Sequence, residues 1–169
     1  MASKSLSEKS GVPAKSPEAI PDALLGRVGF LLNRGAQKVR EVYQTALEPL
    51  GIDGKQMGVL VVLSGKGSIS QHEIGLCTHI DRTTMVALID DLEQKGLVER
   101  QEHPTDRRSH SLVLTAKGKE LLPKAHKLSE AAEKNFLNGL TAREQKEVIQ
   151  LLRKLILSHF AGDTHRGTP

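Results

Sequence analysis

The amino-acid sequence predicts a mainly α-helical protein with one small β-hairpin. Apolar residues recur at helical spacing through most of the chain. Two short extended segments, about 97–102 and 109–114, flank the polar loop that contains HPTDRR. No apolar run approaches the roughly 20 residues that a membrane-spanning helix needs. The sequence therefore predicts a helical protein around a single hairpin, with no membrane partner.

Composition and charge narrow the class of protein. The 169 residues suffice for one domain with a buried core. The single cysteine, Cys77, excludes an internal disulfide framework and suits a reducing cytoplasm, where we expect the protein. A net charge of +4 favours a polyanionic partner, while only 2% aromatic residues argue against a protein that stacks on single-stranded bases. We expect a polar tail over 1–19, one domain over 20–162 and a frayed tail over 163–169.

Helical periodicity and stop signals define the first two predicted helices. The first begins at Asp22, continues to about Leu47 and ends at Pro49 and Gly51. The pair Asp53 and Gln56 has capping-box spacing, which predicts the start of a second, shorter helix.

Two further helices are predicted before the hairpin. Ser70 and Glu73 form a second capping box that opens a brief helix through about Cys77. After an interruption at 78–81, the next helix covers Arg82 to Lys95. Gly96 then stands where a left-handed residue commonly ends a helix. The apolar residues of this helix form one stripe that we expect to be buried, consisting of Met85, Leu88, Ile89 and Leu92.

Two long helices are predicted after the hairpin. Thr115 caps the first of them, which carries a predicted kink at Pro123. Thr141 and Glu144 cap the last helix. Its apolar stripe exceeds what a small domain can cover, which predicts a two-fold partner; the stripe consists of Val148, Leu151, Leu152, Leu155 and Ile156.

A short helix, a tight turn, a second helix and a hairpin, in that order, describe a winged helix-turn-helix. The second of these helices presents Arg82, Thr83 and Thr84 in its first turn, with Val86 or Ala87 just beyond them. A major groove admits a helix whose side chains of this size reach base edges or phosphates. We therefore expect these four residues to contact DNA.

The loop of the hairpin carries Asp106, Arg107 and Arg108. Arginines on a narrow projection can enter a minor groove, where the negative potential is deepest. Asp106 is placed to orient Arg108, and Arg107 to contact a flanking phosphate. The alternative is a solvated turn with an incidental ion pair, which contributes little to stability.

The order and spacing of these motifs resemble the MarR family of bacterial transcriptional regulators. The resemblance covers about 22–160 and is strongest in IDRTTMVALIDDLEQKGLVER and HPTDRRSHSLVLTAKG. It implies a winged helix-turn-helix lobe flanked by N- and C-terminal dimerisation helices. It further implies a homodimer, an approximately palindromic double-stranded operator and DNA contacts that include Ser70 and Gln71. The function predicted is that of a transcriptional regulator of the repressor type.

The resemblance also implies a small-molecule effector, of which aromatic acids and their thioesters are the classes to expect. A cation near the junction of the dimer helices and the DNA lobe is then predicted, and Arg34 has that position. Apolar walls would come from Phe30, Leu31 and Met57. The competing interpretation of Arg34 is a plain surface or interface ion pair.

Other functions have weaker support in the sequence. No phosphate-binding loop, nucleophile elbow or zinc-protease motif occurs, so we expect no catalytic residues and no cofactor. His72, His79, His103 and His110 form no compact ligand motif, so no metal is expected either. Cys77 is expected to be a small core residue. The alternative to a DNA-binding regulator is a winged-helix module for protein contact, without a specific DNA target.

Overall fold

A computed structural model describes residues 20–102 and 110–160. The described residues divide between Ala36 and Gln37 into two compact units. The elements in chain order are α1 (Asp22–Leu25), α2 (Val28–Leu47), a 3₁₀ turn (Glu48–Leu50), α3 (Gly54–Lys66), β1 (Ile69–Ser70), α4 (Gln71–Thr78), α5 (Arg82–Gln94), β2 (Val98–Glu102), β3 (His110–Leu114), α6 (Ala116–Phe136) and α7 (Ala142–Phe160).

The first unit begins with a helix break that the sequence did not predict. Helix α1 ends before Gly26, whose N–H bonds to the carbonyl of Asp22 at 3.2 Å. The prediction of one continuous helix from Asp22 was therefore wrong at this point, where glycine has a low helix propensity. Large apolar side chains of this unit are exposed, namely Leu24, Leu25, Val28, Leu31 and Leu32.

The second unit contains the hydrophobic core. Each of its central helices buries at least one large side chain completely, including Leu60 of α3, Ile74 of α4 and Ile89 of α5. The sheet contributes Leu112, and α6 contributes Ala125. The predicted stripe of α5 is confirmed, because Met85, Leu88, Ile89 and Leu92 are all buried.

Local caps begin the helices where the sequence predicted. The Asp53 carboxylate accepts the N–H of Gln56 at 2.8 Å, and the Gln56 side chain accepts the N–H of Asp53 at 3.0 Å. The same reciprocal arrangement at Ser70 begins α4. Both predicted capping boxes are confirmed, and each satisfies backbone donors that a helix start leaves unpaired.

The hairpin belongs to a three-stranded antiparallel sheet with strand order β1–β3–β2. Val98 lies opposite Leu114 across the hairpin, and Ile69 of β1 lies opposite Leu112. The sequence predicted the two hairpin strands but not β1, since two residues carry no detectable alternation. This third strand joins the end of α3 to the sheet just before α4 begins.

Two long helices follow the sheet. Helix α6 begins at its predicted cap, where the Thr115 hydroxyl accepts the N–H of Gly118 at 3.0 Å, and it continues through Pro123. Helix α7 begins at the predicted Thr141 and Glu144 box. The large apolar side chains of α7 are exposed, namely Ile149, Leu151, Leu152, Leu155, Ile156 and Leu157.

Candidate nucleic-acid interface

The helix-turn-helix is formed by α4, α5 and the turn between them. Helix α4 ends at Thr78, and His79 follows with a left-handed φ of 52°, a conformation in which histidine is enriched. Asp81 then caps α5 by accepting the Thr84 N–H at 2.9 Å. Hydrogen bonds from Thr84 hold the pKa of the Asp81 carboxyl below its ordinary value. The turn therefore fixes where α5 begins and which face it presents.

The residues of α5 that are predicted to contact DNA lie on its outer face. Arg82, Thr83 and Ala87 are exposed, and Thr84 is half-buried beside the N-cap. Val86, the alternative to Ala87, is also 41% exposed on this face. Because the opposite stripe of α5 is buried in the core, its orientation about its own axis is fixed.

The start of α4 lies beside the start of α5. Ser70 and Gln71 line a cleft of about 940 Å³ that Arg82 also lines. The Ser70 hydroxyl donates to the Glu73 carboxylate at 2.8 Å and accepts the Glu73 N–H, so it serves the cap of α4. The structure thus brings together three of the predicted DNA-binding residues, while their contact with DNA stays a prediction.

The tip of the wing lies outside the described residues. Asp106, Arg107 and Arg108 are all in the segment 103–109, so their predicted roles stay predictions. The two strands that carry the tip are described, and they pair from Val98 with Leu114 to Glu102 with His110.

Arg100 connects the wing to α5, and the sequence analysis missed it. Its guanidinium donates to the Asp90 carboxylate at 2.8 Å and to Glu93, and its backbone N–H donates to Glu93 at 3.2 Å. The hydrogen bond to Asp90 is the main cause that raises the pKa of Arg100. The spacing of the two acids on one face of α5, just before a basic strand residue, was a usable signal. These bonds fix the first wing strand against α5.

The C-terminal end of α5 closes with a motif that the sequence predicted in part. Gly96 has a φ of 67°, its N–H bonds to the Glu93 carbonyl at 2.8 Å, and the Leu97 N–H bonds to the Leu92 carbonyl at 2.9 Å. These two bonds form a Schellman motif, and the buried Leu97 folds back over the last turn.

Helix α6 is joined to this same end of α5. The Thr115 hydroxyl donates to the Gly96 carbonyl at 2.7 Å, and the Lys117 ammonium donates to the Lys95 carbonyl at 2.6 Å. Gly118 lies so close that a Cβ there would be 2.2 Å from the Leu97 carbonyl oxygen. Residues 114–118, with the sequence LTAKG, therefore connect the start of α6 to the C-terminal end of α5.

The predicted effector residues fall in both units. Phe30, Leu31 and Arg34 belong to the first unit, and Met57 belongs to the second, where it packs against the core. Leu31 and Arg34 are exposed, and Phe30 and Met57 are half-buried. A pocket formed by these four residues stays a prediction.

Two other groups of residues were considered in the sequence. Cys77 was expected in the core, and this expectation was wrong, because its side chain is exposed on α4. Within residues 20–102 and 110–160, no group of three or more His, Cys, Asp or Glu side chains is arranged to hold a metal ion. None of the helices in those ranges has the length and hydropathy required to cross a membrane.

Comparisons with known proteins agree with this architecture. A sequence model of the MarR family matches residues 50–109, which include α3 to β2. The HTH-type transcriptional repressor Rv2887 of Mycobacterium tuberculosis is 31% identical over 76% of this chain and 92% of its own length.

Solved structures resemble the chain over most of its length. CouR from Rhodococcus jostii RHA1, solved bound to p-coumaroyl-CoA, has a TM-score of 0.72 at 27% identity and covers 88% of this chain and 99% of its own. A mutant MarR from E. coli complexed with operator DNA has a TM-score of 0.70 at 27% identity and covers 78% and 94%. With its helix-turn-helix and its wing strands, the chain belongs to the MarR family of DNA-binding transcriptional regulators.

Proposed function

We propose that this protein is a homodimeric repressor that binds an approximately palindromic operator and releases it when a small-molecule effector binds. The segment that we assign to this function is 20–162, with 1–19 and 163–169 as polar tails. The observation that carries the proposal is the asymmetry of α5. One face of this helix is buried in the core, while Arg82, Thr83 and Ala87 on the other face are exposed.

The chemistry of that exposed face suits a major groove. Arginine donates two hydrogen bonds to guanine, a threonine hydroxyl donates or accepts, and alanine or valine contacts the thymine methyl group. The similar E. coli MarR was solved with operator DNA, which supports the same use of α5 here.

The wing supplies the second contact in this proposal. Arg108 enters the minor groove, Asp106 orients its guanidinium, and Arg107 contacts a flanking phosphate. Ser70 and Gln71 contact the backbone beside the major groove. The bonds from Arg100 to α5 support this arrangement, because they hold the base of the wing against the reading helix.

Quantitative DNA binding tests the proposal. An operator is selected from random double-stranded DNA with the wild-type protein, and its affinity is measured against salt concentration. Arg82→Ala and Thr83→Ala are expected to change which bases are preferred, with about 1–3 kcal/mol of discrimination lost for a bidentate contact. Arg108→Ala is expected to weaken binding strongly, and Arg107→Ala to reduce the salt slope by about one.

Arg143→Ala provides the matched control, because it removes the same charge from an exposed position on α7. This variant is expected to leave base preference unchanged. A wild-type protein that selects no sequence at all would contradict the proposal. It would favour instead a winged-helix module that contacts protein.

The dimer is inferred from the apolar surface of two separate regions. Four residues of the predicted α7 stripe are 37–60% exposed, and the first unit exposes a second apolar set. Monomeric proteins rarely leave such continuous apolar surface in water. An isologous interface that covers these helices would produce two α5 helices related by a two-fold axis, and hence an operator with two half-sites.

Sedimentation equilibrium tests the dimer. Leu155→Lys introduces a charge into the apolar stripe of α7, and we expect a monomer with weakened operator binding. Gln150→Lys adds the same charge at an exposed polar position of the same helix and should remain a dimer. A wild-type chain that sediments as a monomer at micromolar concentration would contradict the dimer.

The effector is proposed to be an aromatic carboxylic acid or its thioester. CouR, solved with p-coumaroyl-CoA, supports this chemical class. Arg34 would pair with the carboxylate or a phosphate of the ligand, and Phe30, Leu31 and Met57 would contact its apolar part. A ligand releases DNA only if it binds one arrangement of the two reading helices more tightly than the other.

A screen of aromatic carboxylates and their coenzyme A thioesters tests this assignment. The measured quantity is the ligand concentration that releases half of the operator from wild type and from Arg34→Ala. We expect a higher concentration for the variant. If one ligand releases both proteins at the same concentration, Arg34 has no part in binding it.

A further inference from the structure

A buried amide lies where α3 meets the C-terminal end of α5. The side chain of Gln56, in the first turn of α3, is 4% exposed. It lies among Asp53, Asp91 and Lys95, and we call these four residues the Gln56 cluster. Asp91 and Lys95 are one turn apart at the end of α5, so the cluster joins elements that are 35 and 39 residues apart in sequence.

The Gln56 amide uses its donor and its acceptor sides together. Its oxygen accepts the backbone N–H of Asp53 at 3.0 Å and the Lys95 ammonium at 3.3 Å, while its nitrogen donates to the Asp91 carboxylate. Lys95 also donates to Asp91 at 2.6 Å. A buried amide with all of these partners holds one orientation, and any tilt of α5 away from α3 breaks several bonds at once.

Of the two carboxyl groups in the cluster, the one of Asp91 has a pKa below its ordinary value. The hydrogen bond from Lys95 is the main cause that lowers the pKa of Asp91, and the bond from Gln56 adds to it. Charge-assisted bonds of this kind are stronger than bonds between neutral groups.

The Gln56 cluster lies far along α5 from Arg82 and Thr83, so a small tilt of the helix at the cluster moves these two residues by a large distance. Lys95 is thirteen residues after Arg82, which is about 20 Å along a helix. A tilt of about 10° at the cluster would displace the reading end by about 3.5 Å, close to the rise of one base pair. A change in the cluster would therefore alter which half-site spacing the two α5 helices of a dimer fit, without any contact between the cluster and DNA.

We propose that the Gln56 cluster positions α5 and thereby specifies the half-site spacing of the operator. This inference rests on the proposed function, and it assigns Gln56, Asp91 and Lys95 as positioning residues for DNA recognition. The competing interpretation is that the cluster only adds stability, in which case its loss would not alter the choice between spacings.

The experiment compares spacings within each variant. The affinity for the selected operator is divided by the affinities for versions with one base pair added or removed between the half-sites. For Gln56→Leu, Asp91→Ala and Lys95→Met we expect this discrimination to fall by at least about threefold, because each substitution removes two or more hydrogen bonds of the cluster. Asp91→Ala and Lys95→Met change net charge in opposite directions, so an electrostatic effect on DNA would move their affinities apart.

Two controls separate positioning from stability. Lys38→Met breaks the exposed pair with Glu41 at 3.0 Å and should leave the discrimination unchanged. Leu122→Ala removes a buried core side chain and serves as a destabilised reference, measured where all of the proteins are folded by circular dichroism. If all three cluster variants discriminated between the spacings as well as wild type does, the inference would be overturned and the proposed function would stand. A wild type without any preferred operator would overturn the proposed function, and the inference with it.

Discussion

The C-terminal end of α5 is bonded to α3 and α6, whereas its N-terminal end is closed by its own N-cap and presents Arg82 and Thr83 to solvent. We call the C-terminal end, which is held by its neighbours, the joint of α5, and the exposed N-terminal end its surface end. A helix that reads DNA requires this division, because a group that contacts bases cannot also be used to hold the helix in place. Orientation therefore has to be fixed at the far end and along the buried stripe.

Of the substitutions at the joint, Gly118→Ala is expected to have the largest effect. The added Cβ would meet the Leu97 carbonyl oxygen at 2.2 Å, and backbone rather than a flexible side chain would have to move. We expect the free energy of unfolding to fall by about 1–3 kcal/mol or more, as overpacking typically causes. Urea denaturation followed by circular dichroism measures the change.

Gly65→Ala is the matched control for that substitution. Gly65 is exposed within α3, and among the described atoms none lies within 4 Å of an added Cβ. Alanine there is expected to stabilise the protein by up to about 1 kcal/mol, because glycine has the lower helix propensity. If the two substitutions had effects of the same sign, the close approach of α6 to Leu97 would not be a determinant of the joint.

Local signals in the sequence predicted the surface end of α5 well. The Ser70 box and the buried stripe of α5 each depend on residues within a few positions of one another. Spacing alone is enough to detect such features.

The joint was harder to predict because its partners are distant in sequence. Gln56 was identified as half of a capping box, and nothing local indicated that its amide also bonds to Asp91 of α5. The two-residue strand β1 was missed for the same reason, since pairing across a sheet is not encoded in a short window. Arg100 differs from both, because its partners Asp90 and Glu93 lie only ten and seven residues before it. Cys77 was misassigned because a small apolar residue on a short helix has no pattern to show which face it occupies.

A smaller effect is expected where the wing meets the middle of α5. Arg100→Lys keeps the charge but loses the planar fork that bonds to both Asp90 and Glu93. These pairs are partly exposed, so we expect a loss of no more than about 1 kcal/mol. Hydrogen exchange gives a more local measurement, because the Arg100 N–H, which donates to Glu93, should exchange faster in the variant. An unchanged exchange rate at this amide would show that the side chain does not hold β2 against α5.

The smallest effect concerns Asp81, the cap of the surface end, and it depends on pH. The Asp81 pKa is lowered in the folded protein from an ordinary value of 3.8 by its hydrogen bonds from Thr84. A lowered pKa means that the cap contributes its full stability above about pH 4 and loses it as the pH falls through the folded value. Asn caps a helix about as well as Asp but does not titrate, so Asp81→Asn separates the hydrogen bond from the charge.

We therefore expect wild type to be slightly more stable than Asp81→Asn at pH 7, since a carboxylate also favours the positive end of the helix. This advantage should shrink below pH 4, where the carboxyl becomes protonated and Asn keeps its acceptor. The pKa values of Asp91 and Glu144 are also lowered, but both residues are present in the two proteins and cancel in the difference. Thermal unfolding of both proteins across pH 2.5 to 7 gives the difference, with Asp81→Ala as the variant that lacks a cap at every pH. Parallel curves for wild type and Asp81→Asn would mean that the Asp81 charge contributes nothing, and the surface end would then depend on the hydrogen bond alone.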